Sequence, residues 1–247
     1  MERIVILSNT VGRQFEESIK TTAVREIGNI QVVSLLTSNE CDYIKLVKKI
    51  AETSSHLFVD LEKKQPLDIK NIYDQKGNLY NSIYKAINKL NLSNKLNLYP
   101  IKMNDITVSA TWKLLVSEFN DIAGLTFGLI GTGNIGSKLT SVLTESGVKM
   151  RCFNRDINKA IAVVNSVLLT KPAEVIASPQ VVRKIEHTII NSSCLIIACS
   201  ELTENLLDYI SLIHGSFNIY LIGHSILHKN TLNKFKKADI NVKRIDV

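Results

Sequence analysis

Aromatic residues are scarce: they make up 6% of the 247 residues, and there is one tryptophan. A surface of stacked aromatics for single-stranded nucleic acid is therefore not expected. Long apolar runs are missing too. The candidates Leu195–Cys199 and Ile219–Gly223 have strand length, whereas a membrane-spanning helix needs about 20 residues. The start, Met1-Glu2-Arg3 running directly into Ile4-Val5-Ile6-Leu7, is too short and too acidic for a secretory leader. A cytoplasmic protein with no membrane partner is expected.

Cysteine is also sparse. Cys41, Cys152, Cys194 and Cys199 are scattered with no CxxC pair, which reads as reduced core thiols. His224 and His228 stand four apart, but no HExxH glutamate and no third ligand accompany them, so no metal centre is expected. No GxSxG elbow surrounds any serine, which excludes the usual serine hydrolase.

What is present is ordinary for a globular protein: 45% hydrophobic and 21% charged residues, a balance that excludes collagen, coiled coil and disorder. At about 100–200 residues per domain the length allows one large domain or two small ones. The net charge of +7 could attract phosphates. The basic residues are nevertheless spread out, with one mild cluster over His228–Lys237, so nucleic acid is not the expected partner.

The pattern along the chain is α/β. Short β-branched runs at Ile4–Leu7, Ile30–Leu36 and His56–Leu61 read as strands. Gln14–Arg25 has helical character, and Cys41–Thr53 carries Tyr43, Leu46, Val47 and Ile50 at helical spacing. The first 60 residues thus read β-α-β-α-β, which predicts a mostly parallel sheet. Tyr80–Leu90 reads as a helix, Asn91–Asn97 as a loop, Pro100 as a break, and Thr107–Phe119 as a helix. From Leu125 strands and helices alternate: strands at Leu125–Ile130, Val148–Phe153, Cys194–Cys199, Ile219–Ile222 and Val242–Ile245, and helices at Ile135–Ser146, Ile157–Val167, Val181–Asn191, Leu206–Ile213 and Leu227–Ala238. Val175-Ile176 reads as a short strand. Two domains follow: a small N-terminal α/β domain over 1–104, a linking helix over 105–121, and a Rossmann-type nucleotide-binding domain over 122–247.

Gly131-Thr132-Gly133-Asn134-Ile135-Gly136 is GxGxxG. It follows a strand, opens a helix and is completed by a second strand, the context a dinucleotide fingerprint requires. Gly131 permits the tight turn, Gly133 lets a diphosphate approach the backbone, and Gly136 permits close helix–strand packing. The free N–H groups at the helix start attract the phosphate charge. Asn154 stands 18 residues beyond Gly136, with Arg155 next to it and Lys159 one turn into the next helix. A neutral residue followed by two cations suits the 2′-phosphate of NADP, because guanidinium pairs with phosphate bidentately. NAD is the second choice, since Asp156 could take an acidic residue's place on the ribose. Cys199 and Ser200 follow the strand whose end faces the nicotinamide ribose in this fold.

The segment Asn104-Asp105-Ile106-Thr107-Val108-Ser109, leading through Ile122-Ala123-Gly124-Leu125 into the glycine loop, resembles the methylene-tetrahydrofolate and methylene-tetrahydromethanopterin dehydrogenases. In those families a threonine-bearing turn, here Thr107, begins the linking helix. Asn154-Arg155-Asp156-Ile157-Asn158-Lys159-Ala160 is similar to the Asn-Arg-Thr-x-x-Lys-Ala segment of shikimate dehydrogenases, which share the two-domain plan and use NADP. That resemblance implies a substrate cleft between the domains. It also implies Lys64 as a catalytic lysine after the third strand and Asp105 as its acidic counterpart. From the residues alone, Lys63 or Lys64 at a strand's C-terminal edge could polarise a carbonyl. Asp105 and Thr107 could bind substrate or cap a helix.

The sequence therefore predicts an NADP-dependent dehydrogenase acting on a small-molecule substrate, first of all a methylene-tetrahydropterin one-carbon carrier. A shikimate- or quinate-type dehydrogenase is the alternative, and a non-catalytic NADP-binding sensor the third reading. Association into a homo-oligomer is an open option.

Overall fold

The computed structural model describes residues 1–9, 19–37, 42–62, 78–199, 206–213, 216–222, 227 and 229–245. The chain divides into two compact units, Met1–Met103 and Asn104–Val247.

The first unit holds strands β1 (Glu2–Asn9), β2 (Ile19–Ile27), β3 (Ile30–Thr37), β4 (His56–Asp60) and β5 (Asn97–Ile101), with helices α1 (Tyr43–Ala51) and α2 (Leu79–Lys89). The sheet order is β2-β3-β1-β4-β5; β2 pairs with β3 antiparallel and the other neighbours are parallel. Val5, Leu7, Leu57 and Val59 alternate onto one face and share a core with Leu46, Val47 and Ile50 of α1 and Ile83 and Ile87 of α2. Asp42 and Asn78 start the two helices by accepting backbone N–H groups on their side chains.

Two expectations are corrected in this unit. The helical reading of Gln14–Arg25 fails from Ile19 onward, and its beginning lies outside the described residues. Ile19–Ile27 is a strand, joined to β3 by a tight turn in which Gly28 takes φ +58°. The order here is thus β-β-β-α-β. The Gly-Asn pair between two β-branched runs is a hairpin signal, and strand pairing outweighs the weak helical spacing. Pro100 does not break structure either: it lies in β5 at the edge of the sheet, where a missing N–H leaves no ladder bond unmade.

The second unit begins with α3 (Met103–Phe119). It continues with β6 (Thr126–Ile130), α4 (Asn134–Glu145), β7 (Lys149–Phe153), α5 (Ile157–Thr170), β8 (Gln180–Val181), α6 (Glu186–Ile189), β9 (Cys194–Ile197), a 3-10 helix (Leu206–Leu212), β10 (Phe217–Ile222), α7 (Lys229–Lys237) and β11 (Ile240–Ile245). Among the described residues all strand pairs of this unit are parallel, in the order β11-β10-β9-β6-β7-β8. Read from β8, this is the 3-2-1-4-5-6 order of the dinucleotide-binding fold, with its switch point between β6 and β9. α3, α4 and α5 cover one face through Leu115, Leu139, Leu143 and Val164; Ile185, Ile189, Leu206 and Phe235 cover the other. The helix over 103–119 is therefore part of this core rather than a bare linker. Burying each large aliphatic side chain contributes about 1.5–3 kcal/mol.

α4 ends as its sequence predicts. Gly147 at φ +87° donates its N–H to the Thr144 carbonyl, and Val148 donates to Leu143, a complete Schellman cap. The stretch Val175–Asn191 differs from expectation. Val175-Ile176 forms no strand; Gln180–Val181 is the edge strand, and only Glu186–Ile189 is helical. Val181 packs from the strand and Ile189 from the helix, with Val182 and Ile185 in the connection between them, a division that periodicity cannot reveal.

Candidate functional site

Three loops meet at the C-terminal edge of the second sheet, at its switch point. They follow β6, β7 and β9. Their backbones are joined: Gly131 donates its N–H to the Phe153 carbonyl at 2.9 Å, and Ala198 donates to Ile130 at 2.8 Å.

The glycine loop is tightly built. Gly131 takes φ +99°, and a Cβ there would lie 2.7 Å from the Ala198 carbonyl and 3.0 Å from the Cys199 side chain. A Cβ at Gly136 would lie 1.9 Å from the Gly131 carbonyl oxygen. Both positions demand glycine because backbone passes against backbone. Gly133 is different: among the described residues, its chain neighbours apart, a Cβ there would meet nothing within 4 Å. Gly133 is the N-cap of α4 and supplies no capping side chain. The start of α4, with its unpaired first N–H groups, thus adjoins a space left open by the described residues, and the helix dipole favours an anion there. A diphosphate has the charge and the size for this cradle.

The β7 loop braces the cradle. Asn154 Nδ2 donates to Thr132 Oγ1 at 2.8 Å, and its Oδ1 accepts the Asp156 N–H at 3.0 Å. Both ends of the Asn154 amide are engaged by the chain, so Asn154 positions the loops. Thr132 is buried beneath it. Asp156 caps α5 through the Asn158 N–H at 3.1 Å and lies 3.8 Å from the exposed Lys159 ammonium. Arg155 is exposed and has no partner among the described residues.

Of the other predicted residues, Ile135 packs its side chain into the core under α4. Cys199 is half-buried beside Gly131. Lys64, Ser200, Gly223, His224, His228 and Cys41 lie outside the described residues. Asp105 and Thr107 lie in the first turns of α3, not in a turn before it. The Thr107 carbonyl accepts the Thr111 hydroxyl at 2.8 Å. Asp105 forms an ion pair with Lys138, one turn into α4. Lys138 carried no signal in the sequence: the pair is 33 positions apart and arises only when α3 packs on α4.

Four further groups of this unit, Cys152, Cys194, Glu118 and Tyr220, are shifted by their packing. Burial pushes the Cys152 thiol up to about 11 despite its contact with Thr140, and burial also raises Cys194. Such thiols are poor nucleophiles. Burial pushes the Glu118 carboxyl up, but hydrogen bonds from Lys243 and Tyr220, with the Lys243 charge, outweigh it and hold Glu118 below the usual range. Burial and the bond to Glu118 raise the Tyr220 phenol. Among the described residues no group of three or more His, Cys, Asp and Glu could hold a metal, and no helix is long and apolar enough to cross a membrane.

In sequence, no protein-family profile and no curated protein matches the chain. In structure it is similar to a shikimate dehydrogenase solved with NADP+ (TM-score 0.55, 10% identity, covering 98% of this chain and 84% of that one). It is also similar to the shikimate 5-dehydrogenase of Listeria monocytogenes solved with shikimate and NAD (TM-score 0.51, 12% identity, 98% and 86%). The chain spans 57% of the length of an L-tryptophan dehydrogenase from Nostoc punctiforme, at 15% identity and a TM-score of 0.46. The fold is that of the two-domain Rossmann-type dehydrogenases.

Proposed function

We propose that this chain is a dehydrogenase that uses NADP, with NAD as second choice, and moves a hydride to or from a small-molecule substrate. The observation that carries the proposal is the open cradle at Gly133. It lies at the N-terminus of α4, no side chain of the described residues fills it, and it sits at the switch point of a sheet with dinucleotide-binding order. When bound, the dinucleotide supplies the hydride acceptor or donor.

The chain's own residues then have distinct tasks. The α4 amides from Asn134 onward hold the diphosphate. Asn154 and Thr132 fix the cradle's shape. Arg155, with Lys159 behind it, meets the 2′-phosphate, which is the support for NADP over NAD. Cys199, just beyond the end of β9, borders the site beside Gly131.

Two substrate classes follow. A methylene-tetrahydropterin carrier presents an iminium carbon and needs no acid or base. A hydroxy acid of shikimate or quinate type must lose a proton as the hydride leaves. The pairing of Asp105 with Lys138 puts a carboxylate and an ammonium together on the second unit, and this favours the hydroxy acid. Binding without chemistry is the sensor reading.

The test is calorimetric titration with NADP and NAD, followed by assays with methylene-tetrahydrofolate, methylene-tetrahydromethanopterin, shikimate and quinate at the reduced-nicotinamide absorbance band. NADP is expected to bind at least about tenfold more tightly than NAD. Arg155→Ala should remove that difference, because a charge-assisted hydrogen bond contributes about 1.5–3 kcal/mol. Absence of heat with both dinucleotides overturns the proposal. Tight NADP binding with no turnover on any of the four leaves only the sensor.

A further inference from the structure

The first unit contains a cavity that the dinucleotide chemistry does not use. It has a volume of about 450 Å³, within the roughly 300–1,000 Å³ of small-molecule sites. Its origin lies in the topology. α1 connects β3 to β4 and packs over β1, while β2 extends the sheet beyond β3. The β2–β3 side of the same face is therefore only partly covered among the described residues. Val33 and Leu35 remain half-buried there, although they point to the same side as fully buried Val5 and Leu7.

The lining has two chemistries. Val5, Val33, Leu35, Leu46, Ile50 and Ile19 make an apolar floor. Arg3 and Lys49 are the charged residues of the lining, and no acidic residue lines it among those described. Arg3 is held in place, its Nε donating to Gln31 Oε1 at 2.8 Å. Lys49 is exposed on α1 and has no acidic partner among the described residues. Among the described residues, two cations beside an apolar floor thus have no anion in the lining, next to surface that water solvates poorly. Both are satisfied at once by a molecule with an apolar tail and one negative head.

We infer that this cavity binds a medium-chain carboxylic acid, the tail on Val33, Leu35 and Ile50 and the carboxylate between Arg3 and Lys49. The carboxylate accepts charge-assisted hydrogen bonds from the ammonium and the guanidinium. The tail removes Val33 and Leu35 from water. The site is independent of the dinucleotide cradle, which lies in the other unit.

The probe is octanoate, titrated into the full chain by calorimetry and followed in methyl-labelled NMR spectra. Octan-1-ol carries the same tail without charge, and butyrate the same charge with a short tail. Octanoate should saturate one site, with both controls at least about tenfold weaker. Methyl shifts should centre on Val5, Val33, Leu35, Leu46 and Ile50. Lys49→Met, an exposed position whose loss leaves the core intact, should weaken octanoate about tenfold and leave octan-1-ol unchanged. Arg3→Met should do the same; should it unfold the chain, Lys49→Met alone carries the charge test. The inference is overturned by no saturable octanoate binding, by equal affinity for octanoate and octan-1-ol, or by shifts confined to residues 104–247.

Discussion

Gly133 and Gly136 are both glycines of one motif, yet their surroundings separate binding from folding. At Gly136 an added Cβ meets the Gly131 carbonyl at 1.9 Å, so helix or loop must move. Gly136→Ala should lower the melting temperature, at about 2–4 °C per kcal/mol for a chain of this size, and reduce dinucleotide affinity along with it. At Gly133 the backbone φ is −75° and the Cβ meets nothing. Gly133→Ala should cost only the weaker helix capping of alanine, about 1 kcal/mol. Its methyl group nevertheless enters the space that the proposed function gives to the diphosphate, and dinucleotide affinity should fall at least about tenfold. Thermal melts and calorimetry on the two variants check this split. Equal losses of stability and affinity in both would contradict it.

α3 is held to the second sheet by one ionic cluster and one apolar stripe. Glu118 accepts from Tyr220 of β10 and lies 2.8 Å from Lys243 of β11. Its folded carboxyl is held below the ordinary glutamate value of 4.5. A depressed pKa contributes stability that is fully present above the unfolded value and is lost as pH falls through the folded one. Glu118→Gln should therefore destabilise the chain most at neutral pH. The gap to wild type should shrink as pH drops below 4.5, as read from melts over a pH series. On the apolar side Leu115 is fully buried. Leu115→Ala should cost about 2–5 kcal/mol, measured by urea unfolding of the second unit. Trp112 adds a third tie, its indole N–H donating to Ser146 Oγ at 2.9 Å at the end of α4.

The helix that sequence spacing reads as a linker thus sits inside the second unit. A fragment starting at Asn104 keeps every core partner of α3, whereas one starting at Ile122 loses Leu115 and Val108 from the core. The fragment 104–247 should melt cooperatively and match the full chain in affinity for the proposed dinucleotide, and the fragment 122–247 should not fold. In the full chain, NADP at 100 times its dissociation constant should stabilise the second unit by about 2.7 kcal/mol. Hydrogen exchange should locate that protection in residues 104–247 and leave the first sheet unchanged.

Local pattern was sufficient for much of this molecule. The GxGxxG spacing, the Gly147 cap, and the alternation of buried strands with amphipathic helices after Leu125 are written in residues a few positions apart, because turn geometry and helical period act at that range. From these the fold class and the glycine turn between β6 and α4 could be read. The identity of β2 as a hairpin strand required its partner β3, and the tolerance of Pro100 required its place at a sheet edge. The bond from Asn154 to Thr132 and the pairing of Asp105 with Lys138 join residues 22 and 33 positions apart. Nothing local encodes such contacts. They exist because packing of α3 on α4 and parallel pairing of β6 with β7 bring those side chains together, and only the folded chain decides them.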